Sequence, residues 1–578
     1  MKKDNRKILI FIVVIVIILI IGGYFIIKNI NKNNEVEISK TTNDIDTDIN
    51  TDDGDEDIDW SIYTENNITL TESLTIDKEG IYNLTGKIEG NITINTPGNV
   101  KLVLNNVDIK SDNGPAIKVE EADNTLIYLT EGTTNTLEDS EDYSFDDEDI
   151  NGVIYSKDDL IFDGSGTLII KSNYEDGIVS KDDLKIINGT YEIESIDDGI
   201  RGKDSVYILN GTYNINSGGD GIKSTNDTDT EKGYILIENG TFNIESELDG
   251  FQAETKILIE DGTFDITTGG GSSNSSTSDN WGQWGRYQTT TNTDSAKGIK
   301  CIDNLVINNG TFNFNTSDDA IHSNNYVGIS NGDITISSGD DGIHSDTELI
   351  IDSGNIGITK SYEGIESAKI TINGGNINIV ASDDGINVAG GNDSSGMDRP
   401  GMNNFNSNTN NTLTINNGTI YVNATGDGID VNGIAYMYNG YVTVDGPTDS
   451  GNGTLDYDRE FVVDGGTLIA AGSSGMLQSI TSNNQYNITV TFNSNYQGDS
   501  KVRLLDSNNS EIISYTPSKN FSSIIISSPL LEKGKTYIIE VDGEEYDTFE
   551  VNSISTIIGN SGGSNPMNGG MGKPGMRR

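Results

Sequence analysis

A short acidic turn, DDGI or a close variant, recurs through the middle of the chain. Its glycine or alanine falls at Gly177, Gly199, Gly221, Gly250, Gly298, Ala320, Gly342, Gly364, Gly385 and Gly428. The carboxylates of these turns are Asp176, Asp197, Asp198, Asp220, Asp249, Asp318, Asp319, Asp340, Asp341, Glu363, Asp383, Asp384 and Asp427. If successive turns stack at the spacing of paired strands, neighbouring carboxylates lie about 4.8 Å apart. Each pair then repels by about 0.9 kcal/mol in water and about 3.5 kcal/mol at an effective dielectric of about 20. A cation between them removes that cost. Clustered carboxylates with backbone carbonyls suit Ca²⁺, which takes about six to eight oxygens. A single cysteine and two histidines argue against zinc at these turns. Turn chemistry alone accounts for one Asp per turn, capping its own backbone. The doubled Asp197/Asp198 beside Asp220, and Asp318/Asp319 beside Asp340/Asp341, ask for more.

The residue after each DGI forms a second series: Val179, Arg201, Lys223, Gln252, Lys300, His322, His344, Glu366, Asn387 and Asp430. Strand alternation points it outward when the isoleucine points in. Both histidines of the chain fall in this series, 22 residues apart. Arg201, Lys223, Lys300, His322 and His344 are therefore candidates to clasp sugar carboxylates and hydroxyls; a series of tolerated surface residues is the alternative. A β-eliminating lyase would use the same atoms, with a cation acidifying the proton next to a uronate carboxyl and Lys223, or secondarily Arg201, as base. A lysine beside carboxylates has its ammonium form favoured, which opposes that role. In the insertion DNWGQWGRYQ, Trp281, Trp284 and Tyr287 are candidates to stack on pyranose rings, or else pack their loop. Cys301 falls at an inward position and reads as packing.

These residues need a scaffold that repeats. The turn spacings are 22, 22, 29, 48, 22, 22, 22, 21 and 43 residues, and the long ones hold insertions near 226–233, 269–296 and 390–409. In phase with the turns run LKIINGTYEIES, VYILNGTYNINS, ILIENGTFNIES and ILIEDGTFDITT, each an alternating strand, an Asn-Gly or Asp-Gly turn, and another alternating strand. Strands this short, with almost no helical pattern, exclude βαβ crossovers. Stacked coils of a single-stranded parallel β-helix are expected, all-β, with 22-residue coils and capping strands. Its core should hold a ladder of Ile178, Ile200, Ile222, Phe251, Ile299, Ile321, Ile343, Ile365, Ile386 and Ile429. The expected organisation is a β-helix over 60–480, a C-terminal β cap over 481–556 and a tail over 557–578.

Composition sets the outer limits. With 36 Lys+Arg against 90 Asp+Glu, a formal charge of −54, the chain has no basic face for nucleic-acid phosphate. The apolar run 8–27 follows a basic cytoplasmic stub, 1–7, and is long enough to cross a bilayer. A single-pass transmembrane signal-anchor at the cell membrane is expected, with an acidic linker over 28–59 and the bulk extracellular. The oligomeric expectation is a monomer.

The opening GIYNLTGKIEGNITI, then KLVLNNVDIKSDNGPAIKV, the stretch LIYLTEGTTNTLED and the serial SxDDGI turns together resemble one bacterial surface family. It is the carbohydrate-binding-domain family typified by a clostridial protein that binds cellulose and polygalacturonate. The resemblance spans about residues 60–480 and implies a right-handed, pectate-lyase-like β-helix carrying calcium on its wall. It further implies calcium-assisted binding of acidic polysaccharide, without by itself establishing catalysis. The expected function is non-catalytic binding of an acidic or cellulosic polysaccharide, with pectate-lyase-like β-elimination as one alternative and a structural adhesin or envelope spacer as another.

Overall fold

The computed structural model describes residues 40–46, 49, 58–144, 150–275, 295–389 and 411–559. One repeat shows the whole plan. Ile200–Gly202, Ser205–Ile208 and Thr212–Ser217 are three short strands separated by tight corners. The next coil repeats them as Ile222–Ser224, Tyr234–Ile237 and Thr241–Ser246, each parallel and in register with its predecessor. Ile200 pairs with Ile222, Arg201 with Lys223, and Thr212 with Thr241. The 29-residue spacing here loops its extra residues out between two strands, so register survives the insertion. The short strands join into a 15-stranded parallel sheet, while the strands of the other two walls merge into a 32-stranded one. This is a β-helix solenoid with three walls.

The core follows from the register. Every residue of the expected isoleucine ladder, from Ile178 to Ile429, is fully buried. A second inward column is aromatic: Tyr191, Tyr213, Phe242, Phe264 and Phe312 stack with centroids 5.1, 4.7, 4.8 and 4.5 Å apart and nearly parallel planes. Each such pair adds about 0.5–1.5 kcal/mol to what burial gives. Glycine is required where coils come closest. A Cβ on Gly199 would lie 2.6 Å from the Gly221 carbonyl oxygen, and one on Gly211, at φ 142°, would lie 2.7 Å from the Tyr213 hydroxyl.

The two ends differ. Glu65–Leu70 is the outermost strand at the start and pairs in parallel with Gly80–Glu89. At the far end Phe521–Ser527 lies antiparallel on Thr467–Gly472, over a separate core that includes Ile488, Val490, Leu504 and Ile539.

The expected transmembrane helix requires correction. Among the described residues no helix is long and apolar enough to cross a membrane. They fold as strands and 3₁₀ turns, whose alternation never sustains the unbroken apolar run a spanning helix needs. The segment 8–27 that prompted the expectation lies outside the described residues, and the single-pass placement and the membrane partner are not carried further.

Phe242 touches a ring above and a ring below, so Phe242→Ala should cost about 3–5 kcal/mol. Thr212→Ala, on the exposed face, should fall within about 0.5 kcal/mol. Denaturant unfolding of both variants, followed by circular dichroism, checks the contrast.

Candidate functional site

The acidic turns sit at the corner leading into the short-strand wall, and their first task is structural. The backbone N–H of each turn donates to the carboxylate one coil earlier. Asp198 bonds Asp176 Oδ1 at 3.0 Å, Asp220 bonds Asp198 at 2.9 Å, Asp249 bonds Asp220 at 2.8 Å and Lys297 bonds Asp249 at 2.7 Å. The series resumes with Asp341 on Asp319 at 2.9 Å, Glu363 on Asp341 at 3.1 Å and Asp427 on Asp384 at 2.6 Å. Hydrogen bonds to a charged group are worth about 1.5–3 kcal/mol each, so Oδ1 of each Asp is committed to holding coil to coil. Lys297 interrupts the column. There Asp318 Oδ1 caps the Asp319 N–H at 2.9 Å instead, giving that doubled Asp a local cause. Asp197 and Asp383 lie one position further out. Gly219 and Gly426 face them, where a Cβ would lie 2.2 and 2.4 Å from their Oδ1 atoms.

The second oxygen of each carboxylate meets the column that follows DGI. Arg201 lies 2.5 Å from Asp176 Oδ2 and 3.7 Å from Asp198 Oδ2. Lys223 lies 2.6 Å from Asp220 and 3.6 Å from Asp198, and Lys300 lies 3.4 Å from Asp249. Lys297, which sequence reasoning missed, contacts Asp318 at 2.9 Å and Asp319 at 2.6 Å. Burial alone would lower the Lys223 ammonium, but Asp198 and Asp220 outweigh it and hold it above the usual lysine range.

The histidines are placed together, though not on an open surface: His322 and His344 are 3% and 2% exposed, with ring centroids 4.9 Å apart. His322 Nδ1 lies 2.9 Å from Asp319 Oδ2 and its Nε2 lies 3.0 Å from Asn324 Oδ1. His344 Nδ1 contacts Asp341 at 3.1 Å and Glu366 at 3.2 Å, with its Nε2 3.1 Å from Asp346. Burial disfavours the His344 imidazolium, yet the bonds to Asp341 and Asp346 push its pKa up to about 12. Asp319 is also opposed by burial, but Lys297 and His322 hold it well below the usual carboxylate range.

Beyond His344 the compensation stops. The column continues as Glu366, Asn387, Asp430 and Asp456, and among the described residues no lysine or arginine pairs with Glu363, Asp384, Asp427 or Asp430. Burial, then neighbouring carboxylates, push Asp384 up to about 9 and Asp430 to about 7. Glu366 rises to about 8 despite His344, and Glu363 rises well above its ordinary value. Asn387, 6% exposed, donates to Glu363 Oε2 at 2.6 Å, while its Oδ1 is buried with no hydrogen-bond partner. An orphaned oxygen among unpaired carboxylates is a set of donors that fits a hard cation.

Several groups on this wall could hold a metal ion, including Asp319/His322/His344, Asp341/His344/Glu366, Asp176/Asp197/Asp198 and Asp318/Asp319/Asp340, with ligand atoms within 4.8 Å of one another. Asp159/Asp182/Asp183 is a further group at a different corner, built by turns that sequence reasoning did not single out. A hollow of about 500 Å³ lies on a different wall, lined by residues including Lys171, Glu192, Glu194, Asn214, Asn216 and Glu245. The carboxylate wall nevertheless concentrates the perturbed charges, with Asp340 Oδ1 and Asn387 Oδ1 among its buried oxygens that lack a hydrogen-bond partner. Trp281, Trp284 and Tyr287 lie outside the described residues.

One further group comes together only in space. Asp445, 1% exposed, accepts from Tyr421 at 2.9 Å, Tyr515 at 2.7 Å and Ser518 Oγ at 2.6 Å. Next to Ser518, Lys519 donates to the Ala424 carbonyl, and burial lowers its pKa to about 8. Nothing local in the sequence marks it, because its parts lie up to 98 residues apart.

A parallel β-helix with a carboxylate-lined wall is the class of protein that fold and site define. Residues 71–342 match the family model described as "Carbohydrate-binding domain-containing protein". A curated relative with that same description, from Acetivibrio thermocellus, is 32% identical over 126 residues, or 21% of this chain and 44% of that protein. The chain thus aligns with less than half the length of that relative. A solved structure titled "Structure of the polysaccharide lyase-like protein from C. thermocellum, Gadolinium derivative" is 29% identical, covering 40% of this chain and 86% of that one at a TM-score of 0.35. Over residues 71–342 the chain is thus similar to carbohydrate-binding-domain proteins.

The raised carboxylates give a signed pH prediction. Asp176, Asp340, Asp384 and Glu366 have folded pKa values of about 8, 9, 9 and 8, against ordinary values near 4. Between these limits the folded state binds more protons than the unfolded one, so stability falls as pH rises. In chelator-containing buffer the melting temperature should therefore decline from about pH 4 to about pH 9. Calorimetric scans across that window test it, and a rising curve contradicts it.

Proposed function

We propose that the carboxylate wall binds an acidic polysaccharide, of the polygalacturonate kind, through divalent cations held at its uncompensated end. The observation that carries this is Asn387 Oδ1, buried without a partner on a side chain that bonds Glu363 and stands in register between Glu366 and Asp430. These donors are all oxygens, which favours Ca²⁺ over softer metals. A bound cation would supply positive charge that unpaired carboxylates lack and an attraction for carboxylates of the sugar chain. Arg201, Lys223 and Lys300, 18–26% exposed at their side chains, continue the cationic surface toward earlier coils. The family match supports carbohydrate as the ligand class.

Full-length protein should bind to a polygalacturonate column with Ca²⁺ and elute with chelator. At a Ca²⁺ concentration about 100-fold above its Kd, the linked stabilisation is about 2.7 kcal/mol. The double substitution Asp384→Asn, Asp430→Asn should abolish the Ca²⁺-induced shift while leaving the cation-free protein at least as stable at pH 8. Retention unaffected by chelator would defeat the cation-bridged reading.

A second reading, β-elimination of a uronate chain, draws on Lys519. Its pKa of about 8 leaves part of it neutral near pH 8, as a base requires, whereas Lys223 is held as ammonium. A base takes the proton next to the uronate carboxyl as the glycosidic C–O bond at the adjacent carbon breaks, leaving an unsaturated end. With polygalacturonate and Ca²⁺, elimination predicts growing ultraviolet absorbance that Lys519→Met removes without loss of column retention. Retention with no absorbance change supports binding alone.

A further inference from the structure

One outer wall of the solenoid carries an apolar stripe where alternation calls for polar residues. Its outward positions, coil by coil, are Lys185, Tyr207, Leu236, Leu258, Val306, Gly328, Ile350 and Thr371. The stripe is polar at both ends and apolar only between Tyr207 and Ile350. Although they point away from the core, Leu236, Leu258, Val306 and Ile350 are no more than 9% exposed.

What lies over them is the chain's own residues 41–46, with Ile49. Ile45, 7% exposed, packs in one cluster with Tyr234, Leu236, Leu258, Val306 and Ile350, and Ile49 packs against it. Gly328 is the notch for Ile45: a Cβ there would lie 2.6 Å from Ile45 Cδ1. Polar bonds fix the ends. The Thr42 N–H and hydroxyl meet Asp352 Oδ2 at 2.9 and 2.8 Å, and the Thr42 and Ser330 hydroxyls lie 2.7 Å apart. Asn304 donates to the Asp46 carbonyl at 2.7 Å, and Lys256 lies 3.4 Å from the Asp46 carboxylate. From Thr42 to Asp46 the segment crosses successive coils, meeting those of Ile350, Gly328, Val306 and Leu258 in turn.

We propose that this stripe is a peptide-docking groove whose occupant is the same chain's residues 41–46, with Ile49. It reads isoleucine at the Gly328 notch, a hydroxyl residue three positions before it, and an acidic residue immediately after it. The docking is intramolecular and exchangeable, because the occupant is a strap made of a short 3₁₀ turn, Thr42–Asp44, and its flanks, held by a few side chains rather than paired as a strand of the solenoid. A free acidic peptide of the same pattern therefore competes for the groove once the strap is displaced. Binding at this groove is separate from the carboxylate wall and does not depend on its function.

The test uses full-length protein and a fluorescein-labelled synthetic peptide, TTNDIDTDIN, corresponding to residues 41–50. In the wild type the strap acts at an effective concentration of order millimolar and should exclude micromolar peptide. Ile45→Asp, which alters only the strap, should bind the peptide at least about 100-fold more tightly than the wild type does. Adding Gly328→Val, or Val306→Asp if that variant misfolds, should remove this binding. Hydrogen exchange at 41–46 should quicken at least tenfold in Ile45→Asp, with solenoid strands unchanged. Equal peptide binding by all variants, binding by none, or unprotected 41–46 amides in the wild type would each overturn the proposal. So would a halving of molecular mass on Ile45→Asp by light scattering, which would place the strap on a second copy.

Discussion

Everything in this structure depends on in-register parallel pairing at a separation of about 4.8 Å. That one constraint turns each position of the repeat into a column and sets like residue on like. For isoleucine and phenylalanine this is favourable, because stacked apolar side chains bury one another and planar rings lie face to face. For aspartate it is costly unless something intervenes. The wall solves the problem in three ways along its length. Backbone N–H groups of the next coil occupy one oxygen of each carboxylate. The chain's own Arg201, Lys223, Lys300 and Lys297 answer the other oxygen in the earlier coils, and His344 does so midway. Past that point, among the described residues, no lysine or arginine pairs with Glu363, Asp384, Asp427 or Asp430, and Asp384 and Asp430, like Asp176 and Asp340 in earlier coils, are pushed up in pKa.

This gradient changes the meaning of the acidic turns. A uniform carboxylate ladder would predict the same chemistry at every coil. The observed wall instead divides into a self-neutralised stretch, where cationic side chains already fill the space between carboxylates, and an open stretch, where an external cation has something to neutralise. The buried histidines belong to the first kind of solution. His344 is clamped between Asp341, Asp346 and Glu366, which stabilises its imidazolium and withdraws it from any role on an open surface.

Much of this was legible in the residues. The 22-residue period, the strand alternation and the Asn-Gly turns are local signals, and a column is predictable from period alone. The isoleucine ladder and the adjacency of His322 and His344 follow from that arithmetic. Burial of the outward column was not legible, because alternation says which way a side chain points and not what lies over it. The same gap hid the strap: an aperiodic acidic segment looks solvated until Ile45 is seen in the notch at Gly328. The membrane-spanning expectation had a different fault, since it rested on hydropathy over residues outside the described structure.

The sequence by itself determined the periodicity, the identity of each column and the excess of acid over base, because these depend only on residue order and in-register stacking. Tertiary structure alone decided which oxygen of each carboxylate is spent on a neighbouring coil, which coils supply their own cation and which positions are covered. Those outcomes turn on distances of a few ångströms between residues far apart in the chain. Lys297 beside Asp318, Lys519 near Asp445 and Thr42 on Asp352 are contacts that no spacing rule contains.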